Sequence, residues 1–152
     1  IEIVVEEKNN KIATEKILPL FKAYNNLSEK DQQIIGYDPK TFNTSSIKRL
    51  LDPWMRFFIS YDPRPALEKV KIPVLAINGE KDLQVPPKEN LSEIKAALQR
   101  GGNKNYEIHE LKDLNHLFQT SETGAVSEYG SIEETFNEGA MDLMTQWILS
   151  IK

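Results

Sequence analysis

A compact apolar run, Ile72-Pro73-Val74-Leu75-Ala76-Ile77, stands near the middle of the chain. Continuous rather than alternating, it predicts a parallel strand buried on both faces, with Pro73 near its start where a missing N–H costs least. Asn78-Gly79 ends the run, and Glu80, Lys81 and Asp82 follow. In Lys88–Arg100 the residues Leu91, Ile94 and Leu98 form a helical stripe, which Gly101-Gly102 stops. Residues 105–111, NYEIHEL, read as a second strand, and strand, helix, strand predicts a right-handed βαβ unit.

Before this unit the periodicity is helical. Lys11 to Tyr24 carries Ile12, Ile17, Leu18, Phe21 and Tyr24 near helical spacing, with Pro19 predicting a kink or break. Ser28-Glu29-Lys30-Asp31 has the form of a capping box for a short helix closed by Gly36, and Tyr37 to Thr44 reads as a loop. From Ser45 the positions Ile47, Leu50, Leu51, Trp54, Met55 and Phe58 describe one amphipathic helix bent at Pro53. Ile3-Val4-Val5 is short and β-prone, either an N-terminal strand or mere flank. Two readings stand for Trp54, Phe57, Phe58 and Tyr61: core packing, or the lining of an apolar acyl or aryl pocket. After the second strand come a loop through His116 and a polar run, Gln119 to Ser131. A last helix is predicted from about Glu133 to Ile151, with Phe136, Ala140, Leu143, Met144, Trp147 and Ile148 on its apolar side.

Composition narrows this picture. The 152 residues make one domain or a large part of one, and 39% hydrophobic with 28% charged residues describes a soluble globular chain. A net charge of −4 gives no footprint for nucleic acid or an anionic membrane surface. No apolar run approaches a membrane span. The absence of cysteine excludes disulfides, thiol nucleophiles and thiolate metal sites, and fixes no compartment. The opening IEIVVEEKNN, with neither Met nor a signal-peptide pattern, reads as a cut end, so a fragment is expected.

The candidate chemistry rests on Asp82, after the first strand, and His116, after the second. Loops that follow neighbouring parallel strands open on one sheet edge, where ligands of α/β sheets gather. With strands about 4.8 Å apart, a carboxylate and an imidazole in those loops can hydrogen-bond. Asp82 also reads as an ordinary turn residue. His109 competes for the base role, but it lies inside the second strand and is expected to pack under a helix. A metal site drawn from Asp82, Asp113, His109 and His116 has the residue types without any ligand-spacing motif.

The segment DPRPALEKVKIPVLAINGEKDLQVPP, followed by a helix, a strand and LNHLFQ, resembles the C-terminal part of an α/β-hydrolase fold serine esterase or peptidase. Such enzymes run Ser…Asp…His along the chain. Gly79-Glu80-Lys81-Asp82 matches their G-x-x-D element and Asn115-His116 their histidine loop. The resemblance implies an α/β fold, here a short parallel sheet flanked by helices over residues 61–152, preceded by a helical cap or lid over 1–60. It implies Asp82 as triad acid, His116 as general base, an ester or peptide as substrate, and no cofactor. No G-x-S-x-G occurs, so the nucleophile and oxyanion hole are expected outside these residues and the chain alone is expected to be inactive. An Asp nucleophile, as in dehalogenase-like relatives, and a non-catalytic binding or assembly module are the competing readings. A sheet of so few strands exposes an apolar edge, which predicts self-association or union with the remainder of the hydrolase.

Overall fold

The computed structural model describes residues 1–40 and 43–151. Two compact units divide the chain, Ile1–Asp62 and Pro63–Lys152. Among the described residues no helix is long and apolar enough to cross a membrane.

The first unit is helical: α1 (Glu2–Glu6), α2 (Asn10–Tyr24), α3 (Glu29–Ile34), α4 (Thr44–Leu50) and α5 (Pro53–Ser60). The β-prone Ile3-Val4-Val5 is helical, because Val4 gains burial in a core with Ala13, Ile17, Ile47 and Leu51. Packing overrides a weak local preference. Side chains cap four of the starts: Asn9 accepts from Lys11 N and Ile12 N, Ser28 from Asp31 N, Asn43 from Ser45 N, and Asp52 from Trp54 N. Pro19 lies inside α2, which continues through it to Tyr24. Pro53 does more than bend a helix. It sits at the first position of α5, where a missing N–H is harmless, and the single helix expected from Ser45 is two. Positions 41 and 42 of the expected Tyr37–Thr44 loop lie outside the described residues, and Thr44 itself opens α4.

Arg56 ties this unit together, donating to the carbonyls of Val4 and Leu51 and to Asn10 Oδ1. The aromatic cluster does not enter the core: Trp54, Phe57, Phe58 and Tyr61 are 51–64% exposed, and Trp54 stacks on Phe58 at 5.4 Å. The core-packing reading is thereby corrected. Spacing put Ile47 and Leu51 on the buried face correctly, but the break at Pro53 turns the following aromatics outward.

The second unit holds α6 (Arg64–Leu67), β1 (Val74–Gly79), α7 (Pro87–Arg100), β2 (Tyr106–Leu111), a single 3-10 turn (Val126–Glu128) and α8 (Glu138–Ser150). The strands pair in parallel, Val74 opposite Tyr106 through Gly79 opposite Leu111. Strand β1 begins later than the apolar run because Asn103, buried after α7, takes the carbonyls of Val70 and Ile72 on its amide nitrogen. Val74 to Ile77 are half-buried in this unit rather than enclosed on both faces. Helix α7 supplies the core residues Leu91, Ala97 and Leu98.

The last helix starts at Glu138, some residues later than predicted. Residues before it are occupied otherwise. Glu134 accepts from Thr120 N and Asn137 Nδ2, Asn137 N donates to Phe118 O, and Phe136 stacks on Phe118 at 5.2 Å. Asn137 then caps α8 through Ala140 N. This strap holds the His116 loop, which is why 133–137 is not helix.

Candidate active site

The site forms where β1 and β2 end side by side. Gly79 closes β1 under the carbonyls of Leu114 and Asn115, and a Cβ there would collide with both. The glycine of the G-x-x-D element thus lets the two loops touch. Pairing continues past the strands: Glu80 N donates to Leu111 O at 2.8 Å and Lys81 N to Leu114 O at 2.9 Å. Asp113 N donates to Glu80 Oε2 at 3.0 Å, and Lys81 Nζ pairs with Asp113 Oδ1 at 2.8 Å while donating to Ser121 O. The Lys81 contact holds the Asp113 carboxyl below its ordinary range, and the Lys81 ammonium is raised in turn.

The carboxylate of Asp82 is buried and fully engaged. Oδ1 accepts from Gln84 N at 2.9 Å and Val85 N at 2.8 Å. Oδ2 accepts from Asn78 Nδ2 at 3.0 Å and meets His116 Nδ1 at 2.9 Å. A carboxylate with these partners can only accept, so His116 carries its proton on Nδ1 and presents Nε2 as the basic nitrogen. The His116 side chain is 37% exposed, and its Nε2 makes no hydrogen bond among the described residues.

His116 rides on a knot built by its neighbour. Asn115 is fully buried. Its Oδ1 accepts from Leu117 N and Gln119 N, its Nδ2 donates to Gln119 Oε1, and its backbone N donates to Gln119 O. Two non-glycine residues flank the turn in the left-handed region, Asp113 (φ 61°) and Phe118 (φ 58°). Downstream, Glu128 accepts from Ser121 Oγ, Thr123 Oγ1 and Thr123 N, which lowers its carboxyl from the ordinary value, the Ser121 hydroxyl most.

The structure therefore brings Asp82 and His116 together and leaves the competing candidates apart. His109 lies within β2, as expected. It is partly exposed and pairs with Glu107, its same-face neighbour on β2, at 3.0 Å. Asp113 belongs to Lys81, and no group of three or more potential metal ligands occurs among the described residues. Ser121 is buried in the Glu128 contact rather than placed beside His116 Nε2. One surface depression of about 380 Å³ lies in the first unit, lined by Lys48, Arg49, Asp52, Trp54 and Met55, and offers no histidine. The strand ends are the better guide, because acid–base geometry is specific and a shallow depression is not.

Sequence reasoning named Asn78 and Asn115 without giving either side chain a role in holding Asp82 or the His116 loop. A polar residue at the end of an apolar strand was the available signal for Asn78, and the residue preceding a loop histidine for Asn115.

An aspartate and a histidine thus meet at adjacent parallel strand ends, with the imidazole's far nitrogen making no hydrogen bond among the described residues. The family model of the prolyl oligopeptidase family (Peptidase_S9) matches residues 41–139, well over half of the chain. The chain belongs to that family, a serine-hydrolase-type family with the α/β-hydrolase fold, and it contributes a short parallel sheet with helices. No curated protein and no solved structure matches.

Proposed function

We propose that this chain supplies the acid and the base of a serine hydrolase triad that cleaves a peptide amide or an ester through an acyl-enzyme. Asp82 is the acid and His116 the base. The carrying observation is the 2.9 Å contact of His116 Nδ1 with buried Asp82 Oδ2, with Nε2 open. His116 Nε2 takes the proton of a serine hydroxyl as that oxygen attacks the carbonyl, and Asp82 stabilises the resulting imidazolium. The same Nε2–H then protonates the departing amine or alkoxide, and a water repeats the cycle to free the acid.

The serine and the oxyanion hole belong to chain outside these 152 residues, since no G-x-S-x-G is present in them. Residues 1–60 act as a cap that shapes the substrate pocket, and the remainder of the hydrolase is the partner of the 61–152 segment. The chain alone is inactive on this reading. The missing elbow is also what favours the second reading, a non-catalytic binding or assembly module on the same fold.

The test uses the full-length protein with a nitrophenyl ester and a peptide nitroanilide. His116→Ala is expected to lower kcat by about a thousandfold or more while leaving the fold intact. A fluorophosphonate probe should label one upstream serine. Full activity in His116→Ala, or no labelled serine, removes the hydrolase mechanism and leaves the binding reading.

A further inference from the structure

The Asp82 oxygen that meets His116 is also met by a chain of two amides that the triad reading does not use. Asn78, at the end of β1, is 4% exposed. Its Nδ2 donates to Asp82 Oδ2 at 3.0 Å and to Val85 O at 3.2 Å, and its Oδ1 accepts from Asn90 Nδ2 of α7 at 2.6 Å. The direction of these bonds is dictated by chemistry. The Val85 carbonyl can only accept, and so can the Asp82 carboxylate. The Asn78 amide therefore has to turn its nitrogen to them and its oxygen to α7, and only a donor on α7 can meet that oxygen. Asn90 provides it.

We propose that Asn90 and Asn78 form a polarised amide relay that holds Asp82 as an acceptor for His116, making both asparagines positioning residues for the triad. The inference rests on the hydrolase reading above. Without a donor at position 90, the buried Asn78 oxygen is left unpaired and its amide is held only by its two acceptors. An acceptor at position 90 would draw the amide nitrogen and aim the oxygen at Asp82 Oδ2 and the Val85 carbonyl, pushing the carboxylate from the place where it orders the His116 ring. A buried amide that ends a strand and a half-buried amide in the first turn of a helix are thus matched parts of one device.

The charged and titratable groups around the relay are few. From the β1 loop they are Asp82 itself, Glu80, which is bonded to Asp113 N, and Lys81, which is turned to Asp113 and Ser121. From the β2 loop there is His116. Tyr129 accepts from Gln84 Nε2 beyond the Asp82 turn. On α7, Lys88 and Glu89 are exposed and Glu93 pairs with Arg64.

The deciding variant is Asn90→Asp in full-length protein, which replaces one donor by an acceptor without changing shape. When the introduced carboxyl is ionised, Asn78 has to reverse to meet it. We expect kcat on the nitroanilide to fall about ten- to hundredfold with KM little changed, as for a reacting group moved by a fraction of an ångström. When the carboxyl is protonated, its O–H donates to Asn78 and the relay is restored. The ratio of variant to wild-type kcat/KM should therefore climb as pH is lowered. Asn90→Ala, with neither donor nor acceptor, should show a smaller loss at a ratio that does not change with pH.

A flat ratio for Asn90→Asp, or a loss equal to that of Asn90→Ala at every pH, overturns the relay. Selective ¹⁵N labelling of the His116 ring gives a readout independent of turnover. Wild type should show a protonated Nδ1 and a bare Nε2, and both asparagine variants a mixture of tautomers; an unchanged ring in both overturns the proposal. Failure of the underlying reading is separable, because there His116→Ala and Asp82→Asn keep full activity. Failure of the relay alone leaves those two inactive and Asn90→Asp indistinguishable from Asn90→Ala.

Discussion

The two units of this chain are held together by different chemistry. In the first, the buried cluster is wholly apolar, Val4, Ala13, Ile17, Ile47 and Leu51, and polar side chains serve mainly as helix caps and surface ties. In the second, every buried polar side chain among the described residues is found: Asn78, Asp82, Asn103, Asn115, Gln119 and Ser121. None of the buried side-chain polar atoms described lacks a partner. A satisfied polar interior contributes little net stability per bond but is costly to disturb, whereas an apolar core tolerates exchange of like for like. The first unit is thus built to be permissive. The second is built to hold a few atoms in place.

The largest expected effect comes from breaking the apolar side of this contrast. Ile47, with no exposed surface, lies between α4 and the residues of α1 and α2. Ile47→Ala should cost about 2–5 kcal/mol, and Ile47→Leu less than about 1.5 kcal/mol, because volume is what the site demands. Urea unfolding of the two variants checks this. Equal losses would mean that shape, not volume, governs the first unit.

The same apolar exchange should fail in the second unit. Asn115→Leu keeps the number and branching of the side-chain heavy atoms, yet it leaves Leu117 N and Gln119 N without their shared acceptor. Each orphaned group costs about 1–3 kcal/mol in a buried setting. Because the knot carries His116, the loss should appear in kcat of the full-length protein at temperatures where the fold persists. If Asn115→Leu is as well tolerated as Ile47→Leu, the contrast between the units is wrong.

This contrast also explains what was legible in the sequence. The parallel strand–helix–strand order, the α7 stripe and the cap at Ser28 follow from periodicity and local hydrogen bonding, and the structure has them. The meeting of Asp82 with His116 followed from topology, since parallel strands deliver their loops to one edge. What stayed hidden was set by contacts distant in sequence. Ile3-Val4-Val5 is helical because Ile17 and Ile47 lie far along the chain. The late start of α8 depends on Glu134 reaching Thr120 and on Phe136 meeting Phe118. Asn78 and Asn90 look like ordinary polar residues until the fold sets them 2.6 Å apart. Periodicity reports which face is apolar, and it is silent about which amide faces which.

Acid offers the mildest way to sharpen the comparison. Three carboxyls of the second unit lie below their ordinary values. Asp113 is lowered chiefly by Lys81, Glu128 by the Ser121 and Thr123 hydroxyls, and Glu134 by Thr120 N and its hydroxyl. In the first unit Glu7 is lowered, by Lys16 and Asn9. A carboxyl lowered on folding contributes stability that is complete above its unfolded value and is lost as pH falls through its folded value. These groups are only partly buried, at the surface of their units, so the effect is small and screened by salt. Acidification from neutral to below about pH 4 should therefore loosen residues 112–137 first, through three such groups, and the helices around Glu7 less. Hydrogen-exchange protection, corrected for intrinsic rate, reads this directly at Thr123 and Gly124. Glu128→Gln should lower protection there at neutral pH and remove most of its pH dependence. Equal loosening of both units would show that the acid response belongs to the net charge of the whole chain rather than to the loop that carries His116.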